Sequence, residues 1–209
     1  MTHSMLSRAR CLRAWGLAAA LGAMVVATAI AAPVYTVTNL VTDDQGANPA
    51  ALTDPGLLNA WGISLSPAGP FWVSSNGAGT STLYTVDPST QAPAKSALTV
   101  AIPGAGNVTG QVFNAGSGFN ADRFLFVSED GTVSGWRGAL GATAETLAPA
   151  ASGNVYKGAA FAMIGSDSYL YAANFRSGNV DVIKGNALAP TLAGHFVDPT
   201  LPAGWLCPV

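Results

Sequence analysis

Cysteine, histidine and charge are scarce in this chain of 209 residues. Its cysteines are Cys11 and Cys207, its histidines are His3 and His195, and only 10% of its residues are charged. Cys11 and His3 fall in an N-terminal leader that the sequence marks for removal. The one remaining cysteine cannot form an internal disulfide, so packing has to hold the fold together. Cys207 reads as a free thiol with no assigned role. A Ser-His-Asp triad would have only His195 as its base, and that residue falls in an expected outer strand, where an ordinary edge residue is the simpler reading. The chain has no Gly-x-Ser-x-Gly elbow and no phosphate-binding P-loop. Gly104–Gly110 lacks the spacing and the following helix of a dinucleotide loop. The charges form neither a run nor a basic stripe, which argues against nucleic acid as a partner. Lysine and glutamate are few while Gly, Ala, Ser, Thr and Asn are plentiful. That mixture forms helices poorly and suits sheet with frequent turns.

The leader has three parts. Arg8, Arg10 and Arg13 are basic, the run from Ala14 to Ile30 is uncharged, and Ala29-Ile30-Ala31 places small residues where a signal peptidase reads. The expectation is a signal peptide over residues 1–31, cleaved after Ala31. The rival, an uncleaved anchor, is disfavoured because the run is short for a span. Cleavage leaves six cations against eleven acids, a net charge of −5. The expected location is secreted or periplasmic in a bacterium, with no membrane attachment after cleavage.

What is abundant is repetition. Trp61-Gly62-Ile63, Thr109-Gly110-Gln111 and Lys157-Gly158-Ala159 head three similar segments, and their glycines at 62, 110 and 158 are 48 residues apart. Each segment continues with an aromatic-led run (Phe71–Ser75, Phe124–Ser128, Tyr169–Ala173), a turn, and a further strand-like run (Thr82–Val86, Thr132–Arg137, Asn179–Ile183). Asp54-Pro55 and Trp61 recur as Asp198-Pro199 and Trp205, three steps later at an offset of 144. A step of about 40–50 residues built from short strands is the mark of a β-propeller blade. The blades are expected over about 60–103, 108–153 and 156–198, with the start of a further one at 199–209. Ser96–Ile102 and Leu192–Val197 are the expected outer strands of the first and third blades. That of the second is poorly marked, and residues 141–153 could be loop. Residues 35–41 alternate as a strand, and 43–59 read as a loop. The glycines suit inner strands, where backbones approach closely. A β-sandwich or another all-β solenoid is the runner-up fold.

Residues 32–209 hold about three and a half steps, whereas a ring closes with about four to eight blades. The expectation is therefore an incomplete propeller, either a genuine short protein or the product of a frameshifted or partial gene, its open arc self-associating through exposed blade faces.

Several phrases carry a resemblance: Val37-Thr38-Asn39-Leu40-Val41, Thr53-Asp54-Pro55, Asn59-Ala60-Trp61-Gly62-Ile63, Gly69-Pro70-Phe71-Trp72-Val73, Ser128-Glu129-Asp130-Gly131-Thr132 and Tyr171-Ala172-Ala173-Asn174-Phe175. Across most of residues 34–205 the chain resembles a family of uncharacterised exported bacterial proteins, some with a C-terminal PEP-CTERM sorting signal. Their fold is similar to NHL-type six-bladed propellers. The resemblance implies that fold and export, but no established activity. The chain departs from the family by ending near the midpoint of the expected ring.

Asn76, Glu129 and Asn174 each follow the second strand of their segment, so a ring would gather them at one end. Amide and carboxylate oxygens there suit Ca²⁺, and six-bladed lactonases, similar in fold, hold such an ion with Glu, Asn and Asp. The simpler account is that these residues begin β-turns. Trp61, Trp72 and Trp136 could anchor a ligand, though packing between blades is the preferred account of these tryptophans. Asn107-Val108-Thr109 is a formal glycosylation triplet, which carries little weight in a bacterial protein. The function expected is that of an exported, non-catalytic binding or scaffold protein with an unknown extracellular or envelope ligand. The alternative is a Ca²⁺-dependent propeller hydrolase or lactonase, impaired if truncated.

Overall fold

Glycine- and aspartate-rich turns break the chain into short hairpins. In the computed structural model, which describes residues 35–105, 107–193 and 200, these hairpins build an all-β fold. The strands are β1 (Val41–Thr42), β2 (Leu52–Thr53), β3 (Ala60–Leu65), β4 (Phe71–Ser75), β5 (Thr80–Val86), β6 (Pro93–Ala101), β7 (Val108–Phe113), β8 (Phe124–Ser128), β9 (Val133–Trp136), β10 (Glu145–Ala148), β11 (Tyr156–Ile164), β12 (Asp167–Asn174) and β13 (Asn179–Lys184). Strands β3 to β6 form one four-stranded antiparallel sheet and β7 to β10 a second, while β11 to β13 form a three-stranded sheet. In each, consecutive strands are neighbours, as short turns require. Strands β1 and β2 make a separate two-stranded parallel pair.

The turn between β8 and β9 shows how the sequence dictates a hairpin. Gly131 sits at φ 84°, a conformation glycine adopts without a Cβ clash. The Asp130 carboxylate accepts the Thr132 amide at 2.9 Å and, across to the preceding loop, the Ala105 amide at 2.8 Å.

The second sheet is apolar on both faces, and β8 is buried along its whole length. Phe124 and Phe126 face the first sheet and pack with Trp72, Leu83 and Val100. Leu125 and Val127 face the third sheet and pack with Tyr156, Leu170 and Ala172. Period-two alternation thus disappears from β8 because both sides are core. Trp72 stacks on Phe124 with ring centroids 4.1 Å apart and meets Trp136 at 4.8 Å. These two tryptophans pack sheet against sheet.

The three lead strands β3, β7 and β11 run beside one another, and the spaced glycines are the reason. A Cβ on Gly62 would lie 2.4 Å from the Thr109 carbonyl oxygen, and one on Gly110 would lie 2.5 Å from the Ala159 amide nitrogen. Only glycine permits that approach. A Cβ on Gly158 would meet nothing within 4 Å.

Several expectations needed adjusting. The alternating stretch 35–41 is not a strand before Val41, and its neighbour is the short β2 inside the expected loop. Alternation alone does not make a strand when the backbone lacks a ladder partner. The poorly marked outer strand of the second sheet exists as β10. Leu192 and Ala193, expected to open an outer strand, carry no strand structure. The remainder of that expected strand, with His195, Asp198 and Pro199, lies outside the described residues, as do Ala29, Ala31, Trp205 and Cys207.

The Asp54-Pro55 motif pins the stretch before β3 onto the first sheet. Asp54 is buried; its carboxylate pairs with Lys95 Nζ at 2.8 Å and accepts the Tyr84 hydroxyl at 2.5 Å. Burial pushes the Asp54 carboxyl up, but the bonds from Lys95 and Tyr84 outweigh it and hold the group below its ordinary value. Asp54→Ala leaves the buried Tyr84 hydroxyl without this acceptor and is expected to cost about 1–3 kcal/mol. Urea unfolding of the variant against the native chain measures it.

Candidate functional site

At the end where the lead strands begin, the backbone repeats one bond in all three sheets. The amides of Asn76, Glu129 and Phe175 donate to the carbonyls of Asn59, Asn107 and Val155 at 3.2, 3.2 and 2.8 Å. The acceptors at 59, 107 and 155 keep the 48-residue step. The strand registers agree: Ala60 faces Ser75, Val108 faces Ser128 and Tyr156 faces Asn174. Asn76, Glu129 and Phe175 are therefore equivalent positions, and Asn174 precedes that position by one residue.

Of the three residues singled out in the sequence, two come together. Asn76 Nδ2 donates to Glu129 Oε2 at 3.4 Å and to the Val108 carbonyl at 3.3 Å, and its Oδ1 accepts Asn59 Nδ2 at 3.0 Å. Asn174 is instead the hub of its own hairpin. Its Oδ1 accepts the amides of Val155, Arg176 and Ser177. Its Nδ2 donates to Asn154 and Asp181. This is the turn-starting role of asparagine.

Two residues of the site were not singled out. Lys157 Nζ pairs with Glu129 Oε1 and lies 5.3 Å from the Trp61 ring centroid and 5.9 Å from that of Phe175. The Trp61 indole nitrogen donates to the Lys157 carbonyl at 3.0 Å, spanning from the first sheet to the third. Trp61 and Phe175 remain 46% and 44% exposed. An ammonium ion thus sits between two half-open aromatic rings, a cation–π arrangement reinforced by a carboxylate. The signal for Lys157 was its place beside Gly158, equivalent to Trp61 beside Gly62. The signal for Phe175 was hidden by hairpins of unequal length.

Chemically, the Glu129 carboxylate already has a cation in Lys157, and the Asn76 carbonyl oxygen already has a donor in Asn59. Among the described residues no three His, Cys, Asp or Glu side chains converge as a metal would need. What stands open is a pair of aromatic faces beside a neutralised ion pair and amide groups. That surface suits a neutral polar molecule with one apolar face.

A second polar feature lies elsewhere, around the left-handed turn Phe119–Ala121, where φ is 57°, 55° and 60°. Asp122, fully buried, shares Arg137 Nη1 with Glu145 at 2.8 and 2.5 Å, and Asn120 donates to Glu145 at 2.9 Å. Burial, and then the neighbouring Glu145, push the Asp122 carboxyl up to about 6 against the opposing effect of Arg137.

In comparisons with known proteins, no family and no curated protein matches the chain. Among the described residues no helix is long and apolar enough to cross a membrane.

Proposed function

We propose that the three sheets are blades of a propeller-type fan and that the protein, exported through its leader, is a non-catalytic binding module. Its ligand meets the end of the lead strands at Trp61, Lys157 and Phe175. The observation that carries this reading is the half-open aromatic pair around the Lys157–Glu129 ion pair. The fan is supported by the glycine ladder, in which each sheet's lead strand rests on the next, and by the sequence resemblance to NHL-like exported proteins. The surface fits a ligand that offers hydroxyl groups and one apolar ring face, as a saccharide does. Soluble oligosaccharides titrated against tryptophan fluorescence test it. Saturable quenching that disappears in Trp61→Ala is expected. Identical titrations for the native and variant chains would overturn the ligand assignment.

The adjacency of Asn76 and Glu129 keeps a Ca²⁺-dependent hydrolase as the second reading. Because Lys157 neutralises Glu129, millimolar Ca²⁺ is expected to leave the melting temperature of the native chain unchanged. A rise on adding Ca²⁺ that vanishes in Glu129→Gln would restore the metal reading.

A further inference from the structure

The Lys157 ammonium draws on all three sheets at once. It pairs with Glu129, just beyond the second sheet's β8, and lies 5.3 Å from the ring centroid of Trp61 in the first sheet. It is 5.9 Å from the ring of Phe175, in the turn from β12 to β13. The lysine main chain is anchored, because its carbonyl accepts the Trp61 indole N–H at 3.0 Å. Two aromatic faces and a carboxylate around one point make a cage for a cation, and the chain fills that cage with a group of its own. We propose that the ligand of this site is a saccharide bearing a protonated primary amine, and that Lys157 is its internal stand-in. The ligand's ammonium takes the place that the lysine ammonium holds. The inference rests on the saccharide reading above and names the class of saccharide.

Exchange is open to the lysine because nothing buries it. Its side chain is 30% exposed and that of Glu129 25%, so the ammonium can swing into water on its flexible stem. An ion pair this open and a cation–π contact this exposed are both weak. The chain gives up little when the lysine leaves, and the arriving ammonium restores both contacts. The remaining groups suit the rest of an amino sugar. Trp61 and Phe175 keep open ring surface for the apolar face of a pyranose. Asn59 is exposed and donates to Asn76, while its own carboxamide oxygen accepts nothing among the described residues. Asn107 is exposed too; its main-chain carbonyl holds the Glu129 amide, and its side chain makes no hydrogen bond among the described residues. These amide groups are available to hydroxyls. The charge of the whole chain points the same way. Beyond residue 31, six cations stand against eleven acids, a balance that attracts a cationic saccharide and repels an acidic one. N-acetylation removes the ligand's charge, so the site should tell an amine from its acetamide.

The test titrates the full chain with two oligosaccharides of equal length, followed by tryptophan fluorescence. One is a glucosamine oligomer and the other its fully N-acetylated form, both in buffer acidic enough to protonate the amine. The native chain is expected to prefer the amine by about tenfold, the return from one exposed ion pair and one cation–π contact. Lys157→Met keeps the length of the stem and removes the competing ammonium. It is expected to bind the amine about tenfold more tightly than the native chain does. Glu129→Gln should bring the two oligomers to equal affinity. Added salt should weaken binding of the amine and leave the acetylated form unaffected. A purely structural role for Lys157 predicts unchanged or weaker binding in Lys157→Met, and either result overturns the proposal. Equal affinity of the native chain for the two oligomers overturns it as well, with no variant needed. If that equal binding is lost in Trp61→Ala, the amine assignment alone fails and the saccharide reading stands. Absence of saturable binding by any oligomer, charged or neutral, brings down both.

Discussion

Gly110→Ala is expected to lower stability by about 3 kcal/mol, the upper range for forcing extra volume into packed structure. The new Cβ would lie 2.5 Å from the Ala159 amide nitrogen, 2.7 Å from the Gly158 carbonyl carbon and 2.9 Å from the Gly158 Cα. All three are backbone atoms, so no side chain can swing aside. The second and third sheets have to separate, and the cluster of Leu125, Val127, Tyr156 and Leu170 loosens with them. For a chain of this size the melting temperature should fall by about 6–12 °C. Gly62→Ala should behave alike, since its Cβ would meet the Thr109 carbonyl at 2.4 Å. Gly158→Ala in dilute solution should change little, because its Cβ would meet nothing within 4 Å. Thermal melts of the three variants side by side check this. Equal effects at all three positions would mean that glycine entropy, rather than close approach, sets the cost.

The second large effect is expected at Arg137. Removing it as Arg137→Met leaves the fully buried Asp122 carboxylate, whose Oδ2 already has no hydrogen-bond partner, without its cation. Breaking such a pair costs about 3–5 kcal/mol when both ions are buried. Arg137 is 31% exposed and Asp122 can take up a proton in its absence, so the loss expected near pH 7.5 falls below that range. The cost should shrink near pH 5, where Asp122 carries a proton and no longer needs the guanidinium.

The native chain should show the same group with a definite sign. Asp122 ionises at about 6 in the fold, above its ordinary 3.8. Between those values the native state holds a proton that the unfolded chain has released, so this group makes stability fall as pH rises. Asp54 and Asp130 are held below their ordinary values. Their contribution is present at neutral pH and is lost as pH falls through their folded values. Asp122→Asn should remove the falling limb between about pH 4 and 6 and leave the acid limb in place. Denaturant midpoints at intervals from pH 4 to 8 read out both. An unchanged profile in Asp122→Asn would assign the limb to another group.

Much of the fold was legible because its signals are local. Phe71–Ser75 and Phe124–Ser128 were bounded correctly, since each is an aromatic and β-branched run stopped by turn residues. The glycine step was legible because close backbone approach leaves one residue type available. The site was only half legible. Asn76 and Glu129 follow strands whose ends are clear. Sequence spacing places the third position one residue early, at Asn174 in place of Phe175, because hairpin lengths vary. The loop between β7 and β8 spans residues 114–123, whereas Gly165 and Ser166 alone join β11 to β12. Register across a ladder depends on partner strands, which spacing along one strand does not report. Lys157 is illegible in the sequence for a related reason. Its partners Glu129 and Trp61 are 28 and 96 residues away, and nothing local announces them.

The bond from residues 76, 129 and 175 back to residues 59, 107 and 155 is made by the main chain alone. It works equally well with asparagine, glutamate or phenylalanine above it. The scaffold therefore presents three sockets whose occupants are interchangeable without loss of the supporting link. Selection could rewrite what this surface displays, one socket at a time, while the framework beneath stays as it is.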